Sequence, residues 1–166
     1  MYTIISATNR MDSHTEKVAK QYQNILKEKG IDAKIFSLKN LNVLENNPDF
    51  TKAENEFLIP AQKFIFIMPE YNGTFPGVLK AMIDTSDVKK AWWHKKALLV
   101  GVSTGRAGNL RGMDQITGSL NHMKMIVHHN KLPISVIDKV MDENGTITNK
   151  NTLLAIDQQL DEFINF

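Results

Sequence analysis

Three segments of the chain combine residue types that can bind a ligand. The first, residues 6–15, is rich in hydroxyl side chains and places Arg10 just before Asp12 and Ser13, which can cap a helix. A helix N-terminus offers unpaired N–H groups and the positive end of the helix dipole, so added hydroxyl and guanidinium donors make a phosphate site. The segment therefore predicts an anion cradle, although an ordinary helix cap in a polar turn would use the same residues.

The second segment, residues 68–77, places aromatic side chains, an amide and two glycines after an apolar run. Tyr71 and Phe75 can border a planar ring, and Gly73 allows the backbone to approach it closely. The alternative is a loop whose aromatic residues cover the core.

The third segment, residues 103–109, has Gly105 and Gly108 on either side of Arg106. These glycines again suit a close approach of the backbone to a ligand. The alternative is a plain turn from a strand to a helix with a solvated arginine.

Alternating strand and helix patterns must position these segments. The β-branched and apolar runs predict strands over 3–6, 31–38, 63–68, 97–103 and 125–127, with 134–137 as an extension or edge strand. Helical spacing predicts helices over 13–29, 52–58, 76–83, 109–123 and 152–163. Such alternation predicts an α/β, flavodoxin-like fold: one domain over 1–166, with a five-stranded parallel sheet in the order 2-1-3-4-5 and helices on both faces.

The predicted topology brings the three segments together. In an open parallel sheet the ligand binds beyond the carboxyl ends of the strands, at the point where the strand order reverses. The loops after strands one, three and four meet there, and these loops are the three segments described above.

Composition excludes several classes of protein. The 166 residues carry a net charge of +2, which gives no reason to expect a nucleic-acid partner. There is no cysteine, so disulfides, thiolate metal sites and cysteine nucleophiles are ruled out. No stretch approaches the roughly 18 apolar residues that a membrane span needs, and we expect a cytoplasmic protein with no membrane partner.

Familiar catalytic motifs are missing from the chain. It has no G-x-G-x-x-G after the first strand, no P-loop and no G-x-S-x-G. The histidines His122, His128 and His129 lack a spacing such as H-E-x-x-H, so surface or capping roles are favoured and no metal is predicted. The pair Trp92-Trp93 is interpreted as core or interface packing.

Taken together, the three segments resemble the NADPH-dependent FMN reductase family, which includes flavodoxin-like quinone, azo-dye and chromate reductases. The resemblance spans almost the whole chain and its most specific part is the middle motif. The matching motifs are Arg10-x-x-Ser13-x-Thr15, then Pro69-Glu70-Tyr71-Asn72-Gly73-Thr74-x-Pro76-Gly77-x-Leu79-Lys80-x-x-Ile83-Asp84, then Gly105-Arg106-x-Gly108.

The resemblance implies an FMN whose phosphate lies in the first loop and whose ring lies against the other two. The residues implied at the phosphate are Thr8, Asn9, Arg10, Ser13, His14 and Thr15. Those implied at the ring are Pro69, Glu70, Tyr71, Asn72 and Gly73 on one side and Ser103, Thr104 and Gly105 on the other, with Arg106 placed to tune the flavin. The family's first loop opens with Gly-Ser before its arginine, whereas this chain has Ser6-Ala7-Thr8-Asn9.

The implied activity is ping-pong transfer of hydride from NADPH or NADH, through flavin N5, to a quinone, an azo compound, free flavin or a similar small acceptor. The flavin carries the chemistry, so no catalytic side chain is required. The family also implies a homodimer or homotetramer with the flavin near the subunit interface. The alternative is a flavodoxin-type FMN electron carrier, but such carriers are typically acidic and have a threonine-rich phosphate loop.

Overall fold

The computed structural model describes residues 1–166 and contains a six-stranded parallel sheet. The strands run in the order β2-β1-β3-β4-β5, and β6 also pairs with β4. This confirms the predicted flavodoxin-like order and adds β6 beyond the five expected strands. The strands are β1 (Tyr2–Ser6), β2 (Ala33–Ser37), β3 (Lys63–Pro69), β4 (Lys96–Val102), β5 (Ile126–Val127) and β6 (Leu132–Ile134).

Helices cover both faces of this sheet. The helices are α1 (His14–Glu28), α2 (Pro48–Ala53) with a π-helical turn after it (Glu54–Leu58), α3 (Gly77–Thr85), α4 (Val88–Ala91), α5 (Leu110–His122), α6 (Ile137–Val140) and α7 (Lys150–Asn165). None of them combines the length and apolar composition that a bilayer span requires.

The central strand β3 supplies both cores, because successive side chains of a strand point to opposite faces. Phe64 and Phe66 pack in the core beneath α3 and α5, whereas Ile65 and Ile67 pack in the core beneath α1 and α7. A strand buried on both faces explains the nearly continuous apolar run in the sequence.

Several element boundaries differ from the sequence prediction. Helix α2 begins at Pro48 because the Asn47 side chain accepts a hydrogen bond from the Phe50 N–H at 2.9 Å and proline suits the first helical turn. The edge strand covers 132–134 rather than 134–137, and Ile137 opens α6.

Trp92 packs in the core, as predicted, whereas His128 is buried rather than at the surface. Trp92 is fully buried: it packs against Phe64 and Phe66 and donates its indole N–H to the Ser86 hydroxyl at 2.7 Å. His128, for which a surface or capping role was predicted, is 2% exposed, and its Nδ1 accepts a hydrogen bond from the Asn130 N–H at 3.3 Å.

Lys95 is a buried cation without a carboxylate partner. Its ammonium donates to the carbonyls of Leu58 and Ile59 at 2.9 and 2.8 Å, at the end of the π-helical turn. Burial lowers the pKa of Lys95 from 10.5 to about 8, because desolvation penalises the charged form.

We expect Lys95 to make the protein more stable as pH rises above 8. In that range the unfolded chain holds the Lys95 proton more tightly than the folded chain, so deprotonation favours folding. Between about pH 7.5 and about pH 10, the free energy of unfolding of the wild type should rise by about 2 kcal/mol relative to K95M. Urea denaturation measures this, with the exposed Lys52 replaced in K52M as the control. Parallel pH profiles for wild type and K95M would contradict the assignment.

Candidate functional site

Three loops at the carboxyl ends of neighbouring strands form the candidate site. They follow β1, β3 and β4, which lie side by side in the sheet. Between them lie two adjoining cavities of about 290 and 280 Å³ that share Glu70, Ser103 and Thr104. The first cavity adjoins the start of α1, and the second lies between the Asn72-Gly73 turn and the loop after β4.

The loop after β1 presents backbone N–H groups at the start of α1. Ser13 caps the helix, since its hydroxyl accepts from the Glu16 N–H at 3.2 Å. The N–H groups of residues 11–15 have no acceptor within the protein. Unpaired donors at the positive end of a 15-residue helix can bind an anion.

Arg10 and Thr8 connect this loop to Tyr71 of the next one. The Arg10 guanidinium stacks on the Tyr71 ring, 4.1 Å from its centroid, and the Thr8 and Tyr71 hydroxyls lie 2.5 Å apart. Arg10 makes no ion pair, so stacking leaves the donors along the edge of its guanidinium available for an anion.

His14 faces the first cavity with one unpaired ring nitrogen. Its Nε2 lies 3.0 Å from the Asp138 carboxylate on α6, while Nδ1 is buried without a hydrogen-bond partner. The carboxylate fixes the orientation of the imidazole at the wall of the first cavity.

The loop after β3 contains a two-residue hairpin. Tyr71 and Thr74 exchange backbone hydrogen bonds at 2.9 and 3.2 Å, and Asn72 and Gly73 between them have φ angles of +52° and +82°. Asn-Gly is the sequence that tolerates two successive positive φ angles, as a type I′ turn requires. The turn holds Asn72 and Gly73 at the mouth of the second cavity.

The loop after β4 forms a second run of free donors. The N–H groups of residues 104–107 have no acceptor within the protein. The loop is fixed from within, because the Ser103 hydroxyl donates to the Gly105 carbonyl at 2.8 Å and accepts from the Gly108 N–H at 3.0 Å. The Val136 N–H donates to the same Gly105 carbonyl at 2.9 Å, so the donors face outward from a rigid turn.

Asn109, which the sequence analysis did not single out, joins the second and third loops. Its side-chain amide donates to the carbonyls of Met68 and Pro69 at 3.2 and 2.9 Å, and its own N–H donates to Glu70 at 3.1 Å. Asparagine before a helix normally indicates an N-cap, but here φ is +60° and the side chain does not cap. Its role depends on contacts 40 residues away, which no local pattern reveals.

The structure brings most of the predicted residues to the two cavities. The first is lined by Arg10, Ser13, His14, Thr15, Pro69, Glu70, Tyr71, Ser103 and Thr104, and the second adds Asn72, Gly73, Gly105 and Arg106. Thr8 lies beneath Tyr71, and Asn9 lines a different cavity beside Leu38 and Val78. Five lining residues were not predicted as site residues: Met11, Asp12, Val102, Ala107 and Ile137.

A doubly wound sheet with an anion cradle and a second donor-lined loop at its switch point defines a mononucleotide-binding protein of the flavodoxin-like class. Residues 2–137 match the family described as NADPH-dependent FMN reductase, and the chain belongs to that family. The protein is thus an oxidoreductase of the kind that uses FMN and NAD(P)H.

Similar proteins agree with this membership. A 2-hydroxy-1,4-benzoquinone reductase from Burkholderia sp. is 22% identical over 120 residues, which are 70% of this chain and 66% of that protein. The flavoenzyme NAD(P)H:acceptor oxidoreductase FerB from Paracoccus denitrificans has a TM-score of 0.77 at 20% identity, covering 99% of this chain and 94% of that one. The apo form of the NADH:FMN oxidoreductase EMOB has a TM-score of 0.76 at 17% identity, covering 98% and 87%.

The residues present fit an FMN. The phosphate needs cationic and N–H donors, which Arg10 and the start of α1 supply. A flavin ring needs flat borders and donors for its pyrimidine oxygens, which the Tyr71 hairpin and the donors of residues 104–107 supply.

Two glycines of α5 differ in how closely other atoms pack against them behind the loops. A Cβ atom at Gly112 would lie 2.1 Å from the Asn109 Oδ1 and 2.7 Å from the Phe75 N, whereas one at Gly118 would meet nothing within 4 Å. We expect G112A to lower the free energy of unfolding by about 1–3 kcal/mol through overpacking, and to weaken FMN binding as Asn109 is displaced.

The matched control is G118A on the same helix. It should stabilise the protein by about 0.5–1 kcal/mol, because alanine is the better helix former, and should leave FMN affinity unchanged. Urea denaturation and flavin fluorescence titration measure both effects. Equal behaviour of the two variants would show that Asn109 does not hold the loops together.

Proposed function

We propose that the protein is an NAD(P)H-dependent reductase that holds FMN at the three loops and passes electrons to a small acceptor such as a quinone, an azo compound or free flavin. The observation that carries this proposal is the meeting of two runs of unpaired N–H groups, residues 11–15 and 104–107, at one edge of the sheet. When bound, FMN supplies hydride acceptance and donation at its N5 atom.

The first loop anchors the cofactor in this proposal. Arg10 and the N–H groups at the start of α1 hold the phosphate dianion, and His14 lies beside them on the wall of the first cavity. The Asp138 carboxylate keeps the His14 ring in place. The second loop, through Pro69, Glu70, Tyr71, Asn72 and Gly73, borders the ring.

The third loop tunes the electronics of the ring. Reduction of a flavin places negative charge on its pyrimidine side, and preorganised N–H donors stabilise such charge without reorganising. The N–H groups of Thr104, Gly105 and Arg106 are held for this purpose by the Ser103 and Val136 hydrogen bonds. The exposed Arg106 guanidinium adds a positive charge at the same side.

The reaction needs no acid or base from the protein in this scheme. Both cavities open to solvent between the loops, so the nicotinamide donor and the acceptor use the same opening in turn, as ping-pong kinetics require. The opening is lined by short polar side chains and backbone rather than by a deep shaped pocket, which suits a range of planar acceptors.

The first experiment is an absorbance spectrum after adding FMN and desalting, followed by anaerobic NADPH. We expect retained flavin peaks that bleach within seconds, and quinone-dependent NADPH oxidation. Flavin that stays bound but oxidised would favour an electron carrier instead. No retained flavin, together with no FMN-dependent NADPH oxidation, would overturn the cofactor assignment.

Two arginine variants separate anchoring from tuning. R10A removes a charge-assisted contact to the phosphate and should raise the FMN dissociation constant about 10- to 100-fold, with little change in the reduction rate at saturating FMN. R106A should slow reduction about tenfold and leave FMN affinity within about twofold. Stopped-flow reduction and fluorescence titration measure the two quantities, and the reverse pattern would contradict the assigned roles.

We also propose a homodimer or homotetramer in the cytoplasm, where NAD(P)H is regenerated. Met11, on the rim of the first cavity, is 65% exposed, which suits a surface that a second subunit covers. Sedimentation equilibrium at micromolar concentration should give a mass of at least two chains. A clean monomer with full FMN affinity would reject the oligomer and leave the reductase proposal intact.

A further inference from the structure

We propose that His128, His129 and Glu162 bind a divalent transition-metal ion such as Zn²⁺ at the edge of the sheet away from the flavin site. One ring nitrogen of each histidine and one carboxylate oxygen lie within 4.8 Å of one another. The sequence predicts no such site, because the third ligand lies 33 residues beyond His129 and no ligand motif spans that gap.

An interruption of the edge strand creates the cluster. Strand β5 pairs with Lys96 and Ala97 of β4, and β6 resumes pairing at Val100. The four residues 128–131 therefore lie opposite only two residues of β4, Leu98 and Leu99. The last hydrogen bond before the interruption runs from the His128 N–H to the Ala97 carbonyl at 2.8 Å. The residues after His128 leave the hydrogen-bond ladder with β4. Local bulges of this kind redirect side chains, here toward α7.

The interruption is held in place by a fully buried side chain of α7. The Gln159 amide donates to the Leu99 carbonyl at 3.3 Å and to the Asn130 carbonyl at 2.8 Å, replacing hydrogen bonds that the strand no longer makes. Its oxygen accepts from the Tyr22 hydroxyl at 2.8 Å. The turn carrying both histidines is thus a fixed feature of the fold, since each polar group beneath it is satisfied.

Glu162 is also oriented before any ion binds. Its two carboxylate oxygens accept from the Asn130 side chain at 2.8 Å and the Gln158 side chain at 3.3 Å. Hydrogen bonds from neighbouring side chains to a ligating carboxylate are a usual feature of metal sites. Asn130 belongs to the same turn as the two histidines, so the turn and the carboxylate are positioned together.

The donor set selects the class of ion. Two imidazoles and one carboxylate suit Zn²⁺ and its neighbours Co²⁺, Ni²⁺ and Cu²⁺ rather than Mg²⁺ or Ca²⁺, which prefer oxygen ligands. Ligand atoms around a tetrahedral zinc lie about 3.3 Å apart for bonds of roughly 2.0–2.1 Å. The ligand atoms of the cluster lie within 4.8 Å of one another, so binding requires them to move closer. His128 is buried and held by packing, and the exposed His129 side chain therefore makes this movement by rotating.

The site is separate from the flavin chemistry. Residues 163 and 164, next to Glu162, accept hydrogen bonds from Lys63, the first residue of β3, whereas the flavin loops follow the last residues of the strands. Glu162 also lies beyond residue 137, where the match to the reductase family ends. We therefore expect the ion to tie α7 to the sheet edge rather than to take part in electron transfer.

The test is titration of the metal-free full-length protein with ZnCl₂ by calorimetry and with CoCl₂ by visible absorbance. The wild type should bind one ion with a dissociation constant of about 10 μM or lower, which corresponds to roughly −7 kcal/mol. H129A and E162Q should each weaken binding at least tenfold. H122A, which removes an exposed histidine of α5 outside the cluster, should bind as the wild type does.

Thermal unfolding gives a second measurement. Zn²⁺ should raise the melting temperature of the wild type and of H122A but not that of H129A, whose substitution is exposed and leaves the fold intact. Binding weaker than millimolar in the wild type, or equal binding by H129A and the wild type, would overturn the proposal. FMN affinity should be the same in all variants, so failure here is independent of the reductase proposal.

Discussion

The register of β3 against its two neighbours is the constraint on which the rest of the structure depends. Ser6 of β1 pairs with Ile67 of β3, and Pro69 of β3 pairs with Val102 of β4. Because these strands are parallel, all three leave the sheet at the same edge. A shift of β3 by one residue would exchange the phenylalanines of one core with the isoleucines of the other, so side-chain packing fixes the register. The approach of the three loops is therefore set by apolar packing and not by contacts among the loops.

The loop after β4 is fixed by hydrogen bonds among its other polar groups, which leaves the N–H groups of residues 104–107 unpaired. Residues 11, 12 and 104–107 are exposed, so their unpaired N–H groups face solvent, and they stay in place for a ligand only because the loops that carry them are fixed. Part of that support is strained: Val136, a β-branched residue, has φ of +44° and donates to Gly105. A left-handed conformation at such a residue costs on the order of 1–3 kcal/mol and persists only where its surroundings hold it. The strained residue Val136 lies next to the site, where its hydrogen bond holds the turn at Gly105 in place.

The strands and helices can be predicted from the sequence because their apolar residues recur at short intervals, every second residue in a strand and every three to four in a helix. The apolar run 64–68 identifies the central strand, and helical spacing at Val18, Tyr22 and Leu26 identifies α1. What it does not reveal are contacts across long separations. The pairing of His14 with Asp138 and the hydrogen bonds of Asn109 to Met68 and Pro69 leave no local pattern.

The same limit explains why the bounds of the last edge strand differ from the prediction. The apolar stretches at 125–127 and 134–137 predicted a final short strand followed by an extension or edge strand, and β5 and β6 both pair with β4 as two parts of one interrupted edge. The interruption is stable only because Gln159, on a helix that begins at residue 150, completes the hydrogen bonds of Leu99. A polar residue at a position of helical apolar spacing would ordinarily weaken a core. Here Gln159 is fully buried and its side chain is hydrogen-bonded at both the oxygen and the nitrogen. The turn that it supports brings His128 and His129 next to Glu162, away from the flavin loops.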